Sequence, residues 1–297
     1  MNSPAPRGAL AAMAAFFIWG LFPLFWSLLG DVPVLQVLAH RALWCAVAVW
    51  LFLLLSRDLA WVTTVAPRRL ALLALGGALI SVNWGVYVWA VAAGHVIDTS
   101  LGYFITPLVS VMMAVVVLRE RLGRAQLAAV VIAFTGVALL AWQLRAPPWI
   151  ALALAASFGT YGLLRKLAPF DSVHGLAIES SVMLIPAAAY LLWCEFTGSG
   201  AFLHDHWRDD LLLVIGGPLT AIPLVLFAYG AQRVSMLALG VLQYIAPTVA
   251  LLLGIWIFHE PFGAARQLAF ACIWLALAVF TGAALRGYWS SRGTASG

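Results

Sequence analysis

The chain has 297 residues, of which 64% are hydrophobic and 9% charged, with sixteen basic and eleven acidic side chains and a net charge of +5. A soluble domain carries about 25% charged residues, so this composition excludes a cytosolic enzyme, a nucleic-acid binder and a secreted disulfide scaffold. Cys45, Cys194 and Cys272 lie singly inside apolar runs, where they read as small buried hydrophobes rather than metal ligands or disulfide partners.

Apolar runs broken by charges and Pro/Gly clusters predict ten membrane-spanning helices. They cover 8–29, 35–55, 70–92, 99–118, 125–142, 149–165, 173–194, 211–231, 235–258 and 267–285. A helix needs about 20 residues to cross a hydrocarbon core of about 30 Å, and each run meets that length. The alternation of a membrane β-barrel is absent. The first run is too long for a cleaved signal core and nine more follow it, so it is expected to stay as a span.

The basic residues predict orientation. Arg7, Arg57, Arg68, Arg69, Arg119, Arg121, Arg124, Arg165, Lys166, Arg233, Arg286 and Arg292 fall on the side of the two termini. Arg145, Arg208 and Arg266 fall on the other, and Arg41 lies within a span. Cytoplasmic loops carry the excess of Lys and Arg. Both termini are therefore expected in the cytoplasm, and the acidic connection with Glu195, Asp205, Asp209 and Asp210 outside.

The two halves of the chain resemble each other. Leu101-Gly102-Tyr103-Phe104-Ile105-Thr106-Pro107 precedes Glu120, Gly123 and Ala125-Gln126-Leu127-Ala128. Gln243-Tyr244-Ile245-Ala246-Pro247 precedes Glu260, Gly263 and Arg266-Gln267-Leu268-Ala269 in the same order. Trp19-Gly20-Leu21 matches Tyr161-Gly162-Leu163, and Leu38-Ala39-His40-Arg41 matches Leu176-Ala177-Ile178-Glu179. An odd number of spans per half makes the second copy insert upside down. The arginine-rich connection at 119–124 agrees, since its counterpart at 259–263 has no arginine. The expected architecture is all-α, with two inverted five-helix (5+5) repeats over 8–142 and 149–285. Inverted repeats of this kind place a transport site between the halves near mid-depth, and rocking exposes it to each side in turn.

Trp19-Gly20, His40-Arg41, Ser100-Leu101-Gly102-Tyr103-Phe104 with Pro107-Leu108, Ile178-Glu179 and Gln243-Tyr244-Ile245 with Pro247-Thr248 together resemble the RarD-type EamA family of the drug/metabolite transporter superfamily, also called chloramphenicol-sensitive or chloramphenicol-resistance permeases. The resemblance runs over about 8–285. It implies a bacterial inner-membrane protein of ten helices, an exporter or exchanger of small organic solutes such as drugs, amino acids or related metabolites, with no cofactor. The superfamily's range of solutes leaves the substrate open. It also implies that spans three, four, eight and nine line the pathway. Such repeats often end span four or nine with Gly-Glu; here Arg119 and His259 precede the acid.

An ionisable group inside a span costs at least about 2.5–3.5 kcal/mol, so each needs a reason. Arg41 and Glu179 lie at matching positions of the two repeats and are opposite in sign. Either they line a central cavity, Arg41 holding an anionic or carbonyl group and Glu179 an ammonium or a coupling proton, or they lock the bundle by pairing with each other or with polar neighbours. His40 is a weaker candidate. Asn83 and Trp84 in span three, Tyr103 in span four, Tyr161 in span six, and Gln243 and Tyr244 in span nine can bond or stack on an organic solute. They can equally bond helix to helix. Trp19, Trp84 and Trp89 lie deeper than Trp61, Trp142, Trp149, Trp193 and Trp289, which suit interfacial belts. Pro107, Pro247, Pro218 and Pro223 are candidate hinges, and Pro186, Pro218 and Pro223 are expected to interrupt spans seven and eight.

Other motifs fail. His259-Glu260 lacks the second His of a zinc-protease helix, and there is neither a phosphate-binding Gly-Lys-Ser/Thr loop nor a Gly-x-Ser-x-Gly elbow. His204-Asp205-His206 has no further ligand nearby, so no metal site is expected. The expected partners are the lipid bilayer and a small-molecule substrate, not nucleic acid. The alternatives are an intramembrane enzyme, for which no nucleophile, base or metal cluster is seen, and a non-transporting membrane partner protein.

Overall fold

The computed structural model describes residues 4–93, 95–144, 149–168, 170–204, 206–259 and 263–293. Arg145, Asp205 and Glu260 lie outside these ranges. The described chain is helical throughout: α1 (Pro4–Trp26), α2 (Val34–Leu55), α3 (Pro67–Ala92), α4 (Val96–Val116), α5 (Arg124–Leu144), α6 (Trp149–Leu167), α7 (Ser172–Phe196), α8 (Trp207–Ala231), α9 (Met236–Leu242), α10 (Ile245–Trp256) and α11 (Ala264–Gly293). Short 3-10 turns follow α1 and α2, at Ser27–Leu29 and Ala60–Thr63. Helix is the form that satisfies every backbone group within one segment in lipid.

Six segments among the described residues are long and apolar enough to cross a membrane: Ala5–Leu29, Val34–Leu55, Pro67–Ala90, Ser172–Phe196, Trp207–Ala231 and Met236–Trp256. Leu101–Val116, Arg124–Leu139 and Gln267–Ala283 are shorter apolar helices. Helix α6 falls in neither group, and its last turn carries Arg165 and Lys166. The chain is a multi-pass membrane protein. Leu51, Leu55, Phe134, Ile185 and other large apolar side chains remain exposed along the helices, as a lipid-facing surface requires.

Two features depart from the expected spans. Span nine is two helices, with Gln243 and Tyr244 at the break between α9 and α10. Pro247 has no N–H to give the Gln243 carbonyl, and its ring crowds that same carbonyl. By contrast α7 runs unbroken through Pro186, and α8 through Pro218 and Pro223. Helix α4 likewise continues through Pro107. The expected interruption of spans seven and eight is therefore not seen, because the helices carry their prolines within an otherwise continuous ladder.

The main helix contacts are α1 with α8 and α10, α2 with α7 and α8, α3 with α6 and α7, α4 with α6 and α9, and α5 with α11. Close approach is set by glycine. A Cβ at Gly77 would meet the backbone of Glu179 at 2.7 Å, and one at Gly217 would run into Trp44. Small residues let membrane helices approach in this way.

The connections cluster at opposite ends of the bundle. At one end the Glu120 carboxylate accepts from the Met236 and Leu237 N–H groups (2.8 and 3.0 Å). Ser235 accepts from Ala238 N–H at 3.0 Å. The first three donors of α9 are thus satisfied, two of them by a residue from the other half of the chain. Lys166 also donates to the Val234 carbonyl, and Gln232 to that of Phe170. At the other end Gln36 clamps the connection between α7 and α8, donating to Ser199 O at 2.7 Å and accepting from Ala201 N–H at 2.8 Å. Arg119 and His259 both have positive φ, 55° and 53°. The backbone there takes the left-handed form that glycine adopts most easily.

Candidate functional site

Arg41 is buried on α2, 6% exposed. Its Nε donates to Thr220 Oγ1 on α8 at 2.9 Å. Thr220 in turn donates to Gly216 O at 2.7 Å, so its oxygen is turned to accept from Arg41. The guanidinium carbon lies 4.4 Å from the ring centre of Trp26, 4.7 Å from Trp84 and 5.2 Å from Phe22. The negative faces of these rings offset part of the cost of burying the charge, about 0.5–2 kcal/mol each. No carboxylate lies within ion-pair distance of Arg41 among the described residues.

Glu179 is buried on α7, 2% exposed, but it pairs with Arg165 rather than with Arg41. Its Oε1 lies 2.9 Å from Arg165 Nε, and its Oε2 accepts from Tyr161 OH at 3.1 Å. Arg165 is 1% exposed and also donates to Tyr161 OH at 3.4 Å. Tyr161 and Arg165 are four apart on α6 and so share one face. Arg165 is therefore more than the orientation marker the sequence leads one to expect. It closes span six by position, yet it turns inward to neutralise the acid. Thr220, Phe22 and Trp26, on the Arg41 side, also carried no sequence signal of a role. The Gly76-Gly77 and Gly216-Gly217 pairs did: they recur at an offset of 140. The first pair faces Glu179, while Gly216 faces Arg41 and Gly217 faces Trp44.

The uncharged candidates divide. Asn83 donates to Leu154 O and Ser157 Oγ, both at 2.9 Å, joining α3 to α6. Gln243 donates to Ser110 Oγ at 2.9 Å, joining α9 to α4, and Tyr244 OH donates to Phe104 O at 3.4 Å. These bonds hold helix to helix. Trp19 joins Phe16, Phe158 and Phe227 in an aromatic cluster, and Tyr161 stacks on Phe227. Tyr103 is half exposed and meets Tyr87 edge-on, with ring centres 6.2 Å apart. His40 packs against Phe202, 5.1 Å between centres, from the connection pinned by Gln36. Trp89 is half exposed and packs on Trp149 and His95. His204 is paired with Glu195 at 2.8 Å.

Trp84 also borders a cavity of about 140 Å³ between α2, α3 and α7. Leu38, Ala42, Met183, Pro186 and Tyr190 line it with little polar surface. The structure thus brings Arg41 and Trp84 to one place, and Glu179 and Tyr161 to another.

A bundle of apolar helices of this kind defines a polytopic membrane protein, and the ionisable side chains kept inside it mark candidate functional positions. The chain belongs to the EamA-like transporter family, whose model matches residues 6–142 and 147–282. It is 44% identical to protein RarD of Streptomyces exfoliatus, over 94% of this chain and 89% of that one. It is 43% identical to the uncharacterized transporter YojE of Bacillus subtilis, over 94% and 95%. A solved crystal structure 22% identical in sequence superposes with a TM-score of 0.69, covering 94% of this chain and 98% of that one, and so shares its fold. The chain is a membrane transporter of small solutes, as the family description and the name of the Bacillus subtilis relative have it, and not an enzyme.

Proposed function

We propose that the chain is a secondary transporter that exports or exchanges small organic solutes by alternating access between two inverted repeats, 8–142 and 149–285. The pattern of helix contacts carries this. Exchanging α1 with α6, α2 with α7, α3 with α8, α4 with α9–α10 and α5 with α11 converts the main contacts into one another: α1–α8 becomes α6–α3, α2–α8 becomes α7–α3, and α4–α6 becomes α1 with α9–α10, while α2–α7 and α5–α11 map onto themselves. The two matches to the family model, the two glycine pairs and the left-handed Arg119 and His259 support the same symmetry. A pseudo-two-fold bundle has two equivalent ways of rocking about a central site.

Arg41, Trp84 and Tyr103 form the substrate side of that site, with His40 behind them. Glu179 and Tyr161 form the coupling side. Glu179 is the one carboxylate among the buried polar residues described. Arg165 and a proton compete for it: when α6 and α7 separate, the acid loses its cation and takes a proton in its place. Asn83, Gln243, Tyr244 and Trp19 shape the walls, and Pro107, Pro247, Pro218 and Pro223 are the points where those walls flex. The biased distribution of arginine supports an inner-membrane protein with cytoplasmic termini.

Comparing metabolites and drugs exported by cells with and without the protein would identify solutes, and counterflow in proteoliposomes would establish flux. Glu179→Gln is expected to keep exchange and lose its response to a pH gradient. Gradient-driven transport that is unchanged in this variant would remove Glu179 from coupling.

A further inference from the structure

The buried charges do not balance. Among the described residues, two enclosed arginines face one enclosed carboxylate, and Arg165 already holds it. Arg41 is left with its positive charge, three aromatic walls and a single hydrogen bond, made through Nε. Aromatic faces attract a cation but accept no strong in-plane hydrogen bond. The enclosed polar side-chain atoms without a hydrogen bond among the described residues are His40 Nδ1, Trp44 Nε1, Arg165 Nη1 and Glu179 Oε1, the last of these in the ion pair with Arg165. The Nη atoms of Arg41 are not among them, and with no bond of their own they front accessible space. A guanidinium stacked on its faces and anchored at Nε presents its remaining edge as a fork, which matches a carboxylate in two parallel bonds. One carboxylate would neutralise the site.

Arg41 does not itself line the neighbouring apolar cavity; Trp84 is the side chain that the two share. Trp84 has Arg41 over its ring and borders the apolar space of about 140 Å³. We propose that Arg41 is an anion post, and that the solute selected is a monocarboxylate with a compact apolar body, its carboxylate on the Arg41 fork and its body in the cavity beside Trp84. This rests on the transport site proposed above.

The test uses full-length purified protein in detergent and three acids, benzoate, phenylacetate and hexanoate, each against its neutral amide. Thermal unfolding and intrinsic tryptophan fluorescence are read together, because Trp26 and Trp84 flank the fork. At least one acid should raise the unfolding midpoint and change the emission, binding about tenfold or more tightly than its amide, as loss of a charge-assisted pair demands. Arg41→Gln should abolish the preference for the acid, and Arg41→Lys should keep it in weakened form. Acids and amides that are indistinguishable across all three pairs in the unmodified protein overturn the proposal. So does an acid preference that survives Arg41→Gln. Binding of the acids without any solute flux in proteoliposomes would instead overturn the transport reading and leave the anion post standing. Flux without acid preference would do the reverse.

Discussion

Arg41 and Arg165 are both buried, yet they are held by opposite means. Arg165 lies against a carboxylate and a phenol on two helices, while Arg41 rests on aromatic faces and one hydroxyl. Removing one partner of a buried pair strands the other charge, at a cost of about 3–5 kcal/mol. Arg165→Met should therefore destabilise the protein by about that amount in thermal unfolding. Adding Glu179→Leu should recover most of the loss, since apolar residues often replace a buried pair without penalty. A double variant as unstable as the single one would show that Arg165 acts through contacts other than Glu179. The burial of Arg41 and Glu179 was legible in the sequence, because an ionisable residue deep in an apolar run stands out. The pairing was not. Arg165 sits beside Lys166 at the end of a run, where basic residues commonly mark the interface. Only the three-dimensional packing of α6 on α3 and α7 on α3 turns one of that pair inward.

At the scale of elements, span nine is the informative case. Its break lies where Pro247 cannot donate to the Gln243 carbonyl, which accepts from Ala246 N–H at 3.3 Å instead, while Pro107, at the matching position of the first half, leaves α4 continuous. A proline marks where a helix can open, and packing decides whether it does. That is why most helix ends were readable from hydropathy to within a few residues, that of α11 at Gly293 excepted, and the division into α9 and α10 was not. The break separates a short segment tied to Glu120 and Ser110 from a longer one packed on α1. Pro247→Ala offers the Gln243 carbonyl the regular α-helical donor four residues on. The variant should unfold at a higher temperature and exchange solute more slowly, because a stiffened span nine resists rocking. Faster exchange with unchanged stability would place the flexible point elsewhere. The amides show the limit of reading residue types. Asn83 and Gln243 are both mid-span amides beside an aromatic residue, and both spend their hydrogen bonds on neighbouring helices.

Across the whole molecule, both ends of the bundle carry ties between the halves: Glu120 with α9 at one end, Gln36 with the connection after α7 at the other. Alternating access requires these ties to break in turn. The matching glycine pairs bring α3 close to α7 and α8 close to α2 at equivalent points. Paired motifs at nearly constant offset can be read along the sequence, whereas the cavity, which draws residues from α2, α3 and α7, had no local signature. Access to that cavity is the most direct measure of the mechanism. Gly85 lines it, and a Cβ there meets nothing within 4 Å, so Gly85→Cys should fold. Made in a protein whose Cys45, Cys194 and Cys272 are replaced by alanine, it can be probed from each side of the membrane with an impermeant thiol reagent. Labelling should occur from both sides, and a transported solute placed on one side should shift the balance between them. Labelling from one side only, indifferent to solute and gradient, would contradict alternating access.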